Sequence, residues 1–215
     1  MRIGLLGGSF NPAHPGHRHV INVARRRLKL EQVWLLVSPG NPLKPQRGMA
    51  PFEQRLASAR TLADGRRVIA SGIEAFLGTR YTVDTLRLLL RRFPRARFVW
   101  LMGADLLEQL PRWRRWLEFA QRIPIAVLPR PSYNHRALSS LAARRLVRWR
   151  HRETAAPVLS ELAAPAWIFL CVPQHAASAS AIRAKEERHS QDTKAVFPWS
   201  SPRGAAQEGR QAYVA

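Results

Sequence analysis

The stretch Gly7-Gly8-Ser9-Phe10-Asn11-Pro12-Ala13-His14-Pro15-Gly16-His17 follows the short apolar run Ile3-Gly4-Leu5-Leu6 and precedes a helical pattern that starts near His19. That order reads as strand, glycine turn, helix. In such a unit the N–H groups of the turn and of the helix N-terminus face one point, where unpaired donors and the helix dipole attract an anion such as phosphate. Gly7 and Gly8 put no side chain in the way. His14 and His17 stand three apart across Pro15-Gly16, so a first helical turn sets both imidazoles on one face beside the anion site. Either protonation state can donate to phosphoryl oxygens whose charge grows in a transition state.

The spacing is not G-x-G-x-x-G and no G-K-[ST] follows, so neither a dinucleotide fingerprint nor a P-loop fits. A zinc site on His14, His17 and His19 lacks a fitting fourth ligand nearby, and a surface loop with incidental histidines is the bland alternative. The formal charge of +21, from 35 basic and 14 acidic residues, would ordinarily suggest a polyanion partner. Only Lys29, Lys44, Lys185 and Lys194 are lysines, and arginine is scattered through every segment among many alanines. The charge therefore reads mainly as a compositional habit, with weak, salt-sensitive binding to nucleic acid and no specific nucleic-acid partner. No membrane span is expected, because no apolar run is long enough. The N-terminal run is too short and glycine-rich for a signal peptide, which makes the cytoplasm the expected place. The single cysteine, Cys171, lies in an apolar run and is expected to be buried.

Apolar runs and amphipathic stretches alternate along the chain. Strands are expected over residues 1–6, 32–38, 67–71, 97–102, 123–128 and 167–172, with helices over 17–28, 51–62, 82–92 and 136–150 between them. Val33-Trp34-Leu35-Leu36-Val37 is apolar without interruption, as suits a parallel strand covered on both faces. The expected fold is a doubly wound α/β domain with a mostly parallel sheet, spanning residues 1–188. Residues 189–215, rich in Gln, Ser, Pro, Gly and Ala, are expected to form a flexible tail.

Further candidate residues follow from local chemistry. Thr82 is a plausible N-cap with Thr85 three residues on, and the helix start at Tyr81-Thr82 is also a fitting seat for a carboxylate. Asp105 follows the strand that ends in Gly103, where ligands of an open parallel sheet collect; its alternative role is N-capping. Trp113 and Trp116 share a face if helical. Ser178, Ser180 and Arg183 open a last helix and make a second phosphate-binding N-terminus.

The string from Gly7 to His17, with His14-Pro15-Gly16-His17 at its end, resembles the H-x-G-H nucleotidyltransferases, and in particular the bacterial nicotinate-nucleotide adenylyltransferases. Asn41-Pro42-Leu43-Lys44, Tyr81-Thr82-Val83-Asp84-Thr85-Leu86, Trp113-x-x-Trp116 and Ser178-Ala179-Ser180-Ala181-Ile182-Arg183 are similar to that family's later motifs, in the expected order. Ala179 departs from it, standing where the family has a serine. The resemblance implies transfer of AMP from ATP to nicotinate mononucleotide, giving deamido-NAD and pyrophosphate. It implies ATP contacts from Gly7, Gly8, Ser9, Phe10, His14, His17, Gly103 and Asp105, and from Ser178, Ser180 and Arg183. Mononucleotide contacts are implied for Asn11, Lys44, Tyr81, Thr82 and Trp113, the last by stacking on the pyridine ring. His14, His17 and Arg183 would act on the phosphates. Magnesium (Mg2+) would be held by the ATP phosphates and water, with no dedicated metal site.

Overall fold

The computed structural model describes residues 1–40, 48–174, 179 and 183. Met1–Ala179 forms one compact unit and Ser180–Ala215 a second. The first unit contains one six-stranded sheet of order β3-β2-β1-β4-β5-β6, all of whose neighbours pair in parallel. The strands are β1 (Arg2–Gly8), β2 (Gln32–Val37), β3 (Val68–Ser71), β4 (Arg97–Gly103), β5 (Ile125–Leu128) and β6 (Trp167–Phe169).

Alternation along the buried strands divides the core. Phe98, Trp100 and Met102 of β4 join one cluster, with Val83, Leu86 and Leu89 from the helix α4 (Thr82–Arg92). Val99 and Leu101 face the other way, joining Ile21, Ala24 and Leu28 from the chain around α1 (Pro15–Arg27). Successive strand side chains point to opposite faces, so only a sheet covered on both sides can bury an unbroken apolar run. β1 is central: the chain winds outward through β2 and β3 on one side and through β4, β5 and β6 on the other. That reversal opens a crevice beyond the carboxyl ends of β1 and β4.

Several local expectations change. The first helix begins at Pro15, not His17, because His14 occupies the cap position. Thr82 is the first helical residue of α4 and Tyr81 the cap residue, with no side-chain cap bond. Asp105 lies inside the first turn of α5 (Ala104–Gln109), whose cap residue is Gly103, so it is not the N-cap. Trp113 and Trp116 do not share a helical face. Trp113 is extended, and Arg115 adopts a left-handed φ of 51° before α6 (Trp116–Ala120) begins.

The helix expected over residues 136–150 breaks into α7 (Asn134–Leu138), α8 (Leu141–Arg145) and a 3-10 turn at Val147–Trp149. Its serines explain the break. Ser139 Oγ donates back to the carbonyls of His135 and Arg136, and Ser140 Oγ accepts from Ala143 N as a new N-cap. β6 ends at Phe169, three residues early, since β5 offers no strand beyond Leu128 to pair with. Leu170 remains buried while Cys171 is exposed, contrary to expectation.

Candidate active site

At the end of β1 the chain turns through Phe10, which is fully buried and holds a left-handed φ of 48°. A Cβ on Gly7 would stand 2.9 Å from the Trp100 ring, so glycine is required there by close packing as well as by access. Asn11 is buried and ties the turn to a neighbouring loop: Nδ2 donates to Gly48 O at 2.8 Å and Oδ1 accepts from Ala50 N at 3.2 Å.

The two histidines cap the helix they open. His14, 4% exposed, accepts from Gly16 N through Nδ1 at 3.1 Å, and His17 Nδ1 accepts from His14 N at 3.2 Å. This is a reciprocal capping box built from imidazoles in place of Ser and Glu. The rings lie 3.9 Å apart between centroids, and Phe10 packs on His17 at 4.9 Å. Accepting at Nδ1 assigns the neutral rings to the Nε2–H tautomer. Both histidines thereby carry their donor on the nitrogen not used for capping.

Beneath this turn sits Arg55, from α2 (Phe52–Arg60) and only 3% exposed. Its Nε donates to Ala50 O, its Nη1 to Ser9 O and Ser38 O, and its Nη2 to Pro39 O. One guanidinium thus joins the loops leaving β1 and β2. Burial pushes its pKa down from the ordinary arginine value, and no carboxylate pairs with it among the described residues. Arginine remains charged even so.

A cavity of about 480 Å³ opens beside the turn. Gly7, Gly8 and Ser9 form one wall, and Tyr81, Thr82 and Val83 at the start of α4 form another. Trp113 lines it, half-buried, edge-on to Trp100 at 6.1 Å and against Phe119 at 5.5 Å. Arg80, Arg112 and Arg114 contribute positive charge, with Arg114 4.7 Å from the Tyr81 ring centroid. This volume suits a mononucleotide-sized ligand.

At the end of β4, Asp105 Oδ2 pairs with Arg130 Nη1 at 3.1 Å, while Oδ1 is buried without a hydrogen-bond partner among the described residues. A Cβ on Gly103 would fall 2.4 Å from that Oδ1. Gly103→Ala is therefore expected to displace Asp105 and cost about 1–3 kcal/mol, to be read by thermal denaturation; an unchanged melting temperature would show that the carboxylate swings aside freely.

Of the residues expected at the site, Gly7, Gly8, Ser9, Phe10, Asn11, His14 and His17 form the turn at the end of β1. Gly103 and Asp105 lie at the end of β4, and Tyr81, Thr82 and Trp113 line the cavity. Lys44, Ser178 and Ser180 lie outside the described residues. Arg183 is helical and half-buried within the second unit. Sequence reasoning missed Arg55 and Glu74 and gave Arg130 no role. Arg130 was visible in Pro129-Arg130-Pro131; the other two carried no signal beyond a charge within an amphipathic stretch. Among the described residues no cluster of three or more His, Cys, Asp and Glu side chains could hold a metal, and His19 Nε2 lies 2.8 Å from Pro173 O. No helix among them is long and apolar enough to cross a membrane.

A parallel sheet with a histidine-capped glycine turn at its switch point defines a nucleotidyltransferase-like domain, and the cytidylyltransferase-like family model matches residues 5–185. The solved structure of Plasmodium falciparum nicotinic acid mononucleotide adenylyltransferase complexed with NaAD shares this fold, with a TM-score of 0.63 at 15% identity over 85% of this chain and 82% of that one. Among curated proteins, the probable nicotinate-nucleotide adenylyltransferase of Gluconobacter oxydans is 58% identical over 85% of this chain and 94% of its own length. That of Parvibaculum lavamentivorans is 55% identical, covering 85% and 91%. The chain belongs to the nicotinate-nucleotide adenylyltransferase family.

Proposed function

We propose that the protein transfers AMP from ATP to nicotinate mononucleotide, forming deamido-NAD and releasing pyrophosphate, a step of NAD biosynthesis. The observation that carries this reading is the juxtaposition, at one sheet crevice, of a histidine-capped anion turn and a cavity walled by a helix N-terminus and an indole. In the reaction a phosphate oxygen of the mononucleotide attacks the α-phosphorus of ATP. The bond from that phosphorus to the bridging oxygen breaks, and its electron pair leaves with pyrophosphate. A phosphate monoester, with a second pKa of about 6, is already ionised near neutrality, so no general base is needed.

The protein's work is then alignment and charge stabilisation. His14 is placed on the α-phosphate and the leaving-group bridge, and His17 on the same phosphoryl oxygens, through their Nε2–H donors. Ser178, Ser180 and Arg183 are assigned to the triphosphate, and Lys44 is a supporting cation. Asp105 Oδ1, buried with no partner among the described residues, fits a ribose hydroxyl or a magnesium-bound water. Magnesium, carried on the ATP phosphates, supplies charge neutralisation. ATP and nicotinate mononucleotide are the proposed partners, and the cytoplasm the proposed place.

Pyrophosphate release with magnesium-ATP should be faster with nicotinate than with nicotinamide mononucleotide by roughly 2- to 30-fold, the value of a negative charge seated at a helix N-terminus. Release with neither would sink the reading. Trp113→Ala should weaken mononucleotide binding by roughly 3- to 10-fold, the worth of an aromatic stack, while sparing ATP. Equal losses for both would mean that Trp113 only packs against Trp100 and Phe119.

A further inference from the structure

One buried acid in the cavity wall has no part in that chemistry. Glu74, in the short helix α3 (Ile73–Phe76), is 8% exposed and lines the cavity with Tyr81, Thr82 and Val83. No cation pairs with it among the described residues, although arginine dominates the charge of the chain. Its side-chain partner among the described residues is Thr85, whose Oγ1 lies 3.4 Å from Glu74 Oε1, 3.4 Å from Tyr81 O and 2.8 Å from Thr79 Oγ1. A single hydroxyl therefore stands between the Glu74 carboxyl and the backbone that opens α4.

We propose that Glu74 couples the choice of pyridine nucleotide to a proton: an acid-form ligand is bound together with a proton on Glu74, whereas an amide-form ligand is bound without taking one up. The inference rests on reading this cavity as the mononucleotide seat. Two negative groups in one poorly solvated cavity repel, and the protein group relieves the repulsion by protonation. Burial pushes the Glu74 carboxyl up to about 7, with the Thr85 hydrogen bond opposing part of the rise. A ligand carboxylate raises it further. Among the described residues, the other charged groups of the cavity wall are Arg80 before α4, and Arg112 and Arg114 after α5, with Tyr81 as the remaining titratable one. On α4, Asp84 is engaged by Arg87 and Arg115. The arginines favour an anion without supplying a proton.

Linkage sets the pH window. Below pH 7 the free protein already holds the proton and binding takes up little. Above that range the free protein has given it up, so acid-form binding takes up as much as one proton, and its affinity falls by up to about tenfold per pH unit.

Calorimetric titration at pH 6 and pH 8, in buffers of different ionisation heat, would count the protons for nicotinate and nicotinamide mononucleotides. Both ligands carry the same phosphate, so the difference between them is read: wild-type protein should show extra uptake with the acid form over the amide at pH 8 and little extra at pH 6. Glu74→Gln keeps the shape and should abolish the extra uptake, leaving an acid-over-amide preference that no longer changes between pH 7 and 8.5. Thr85→Val removes the opposing hydrogen bond and should move the onset of uptake to higher pH. Extra uptake at pH 8 that persists in Glu74→Gln, or an onset unmoved in Thr85→Val, overturns the proposal while leaving the functional reading intact. Failure of the wild type to bind the acid form overturns both.

Discussion

Replacing His14 by alanine is expected to lower turnover by roughly 10²–10³, the cost of losing one preorganised donor to the transition-state charge. The same change removes the acceptor for Gly16 N at the start of α1. Losing that cap should cost about 1 kcal/mol, or about 2–4 °C in Tm for a chain of this size. The two effects separate with His14→Asn. Its amide oxygen can accept from Gly16 N, so stability should return while turnover stays low. Recovery of kcat in His14→Asn would reduce His14 to a capping residue. A higher KM with unchanged kcat in His14→Ala would contradict the transition-state role.

Arg55→Met is expected to be the most destabilising of these substitutions. Methionine follows the stem of arginine but donates nothing, so the carbonyls of Ser9, Ser38, Pro39 and Ala50 lose the partner they share. Each buried acceptor left unsatisfied costs about 1–3 kcal/mol, and relaxation that admits water brings the total to about 3–5 kcal/mol. That corresponds to a fall of about 6–20 °C in Tm. Arg55→Lys should lie between, because one ammonium keeps the charge and cannot span both loops. kcat/KM should fall with stability, since the loop carrying Ser9 also shapes the anion turn. A Tm within 2 °C of wild type in Arg55→Met would show that these carbonyls are satisfied without the guanidinium.

The turn from Gly7 to His17 was legible because its chemistry is local. Glycines, a proline at the first helical position and two histidines three apart define a strand–turn–helix unit wherever the rest of the chain goes. The parallel sheet was legible for a similar reason: Val33–Val37 and Phe98–Met102 are apolar on both faces, and only a doubly covered strand buries such a run. Cys171 and the tryptophan pair show where local reading fails. An apolar run suggested burial for Cys171, but β6 ends close to where the β5 strand it pairs with ends, and Cys171 lies beyond it, exposed. Helical spacing suggested a shared face for Trp113 and Trp116, but the left-handed Arg115 separates them, and its guanidinium pairs with Asp84 on α4.

By itself, then, the sequence determined the order of the six strands, the anion turn and the family, because each is written in short-range spacing and backbone requirements. Tertiary structure alone decided the loop clamp at Arg55, the pairing of Asp105 with Arg130, and the burial of Glu74 with no cation beside it among the described residues. A side chain's solvation and partners are set by segments distant in sequence. Arg55 finds carbonyls 16, 17 and 46 residues away, and Asp105 finds its arginine 25 residues on. The same residue types on an open helix face would be ordinary solvated charges.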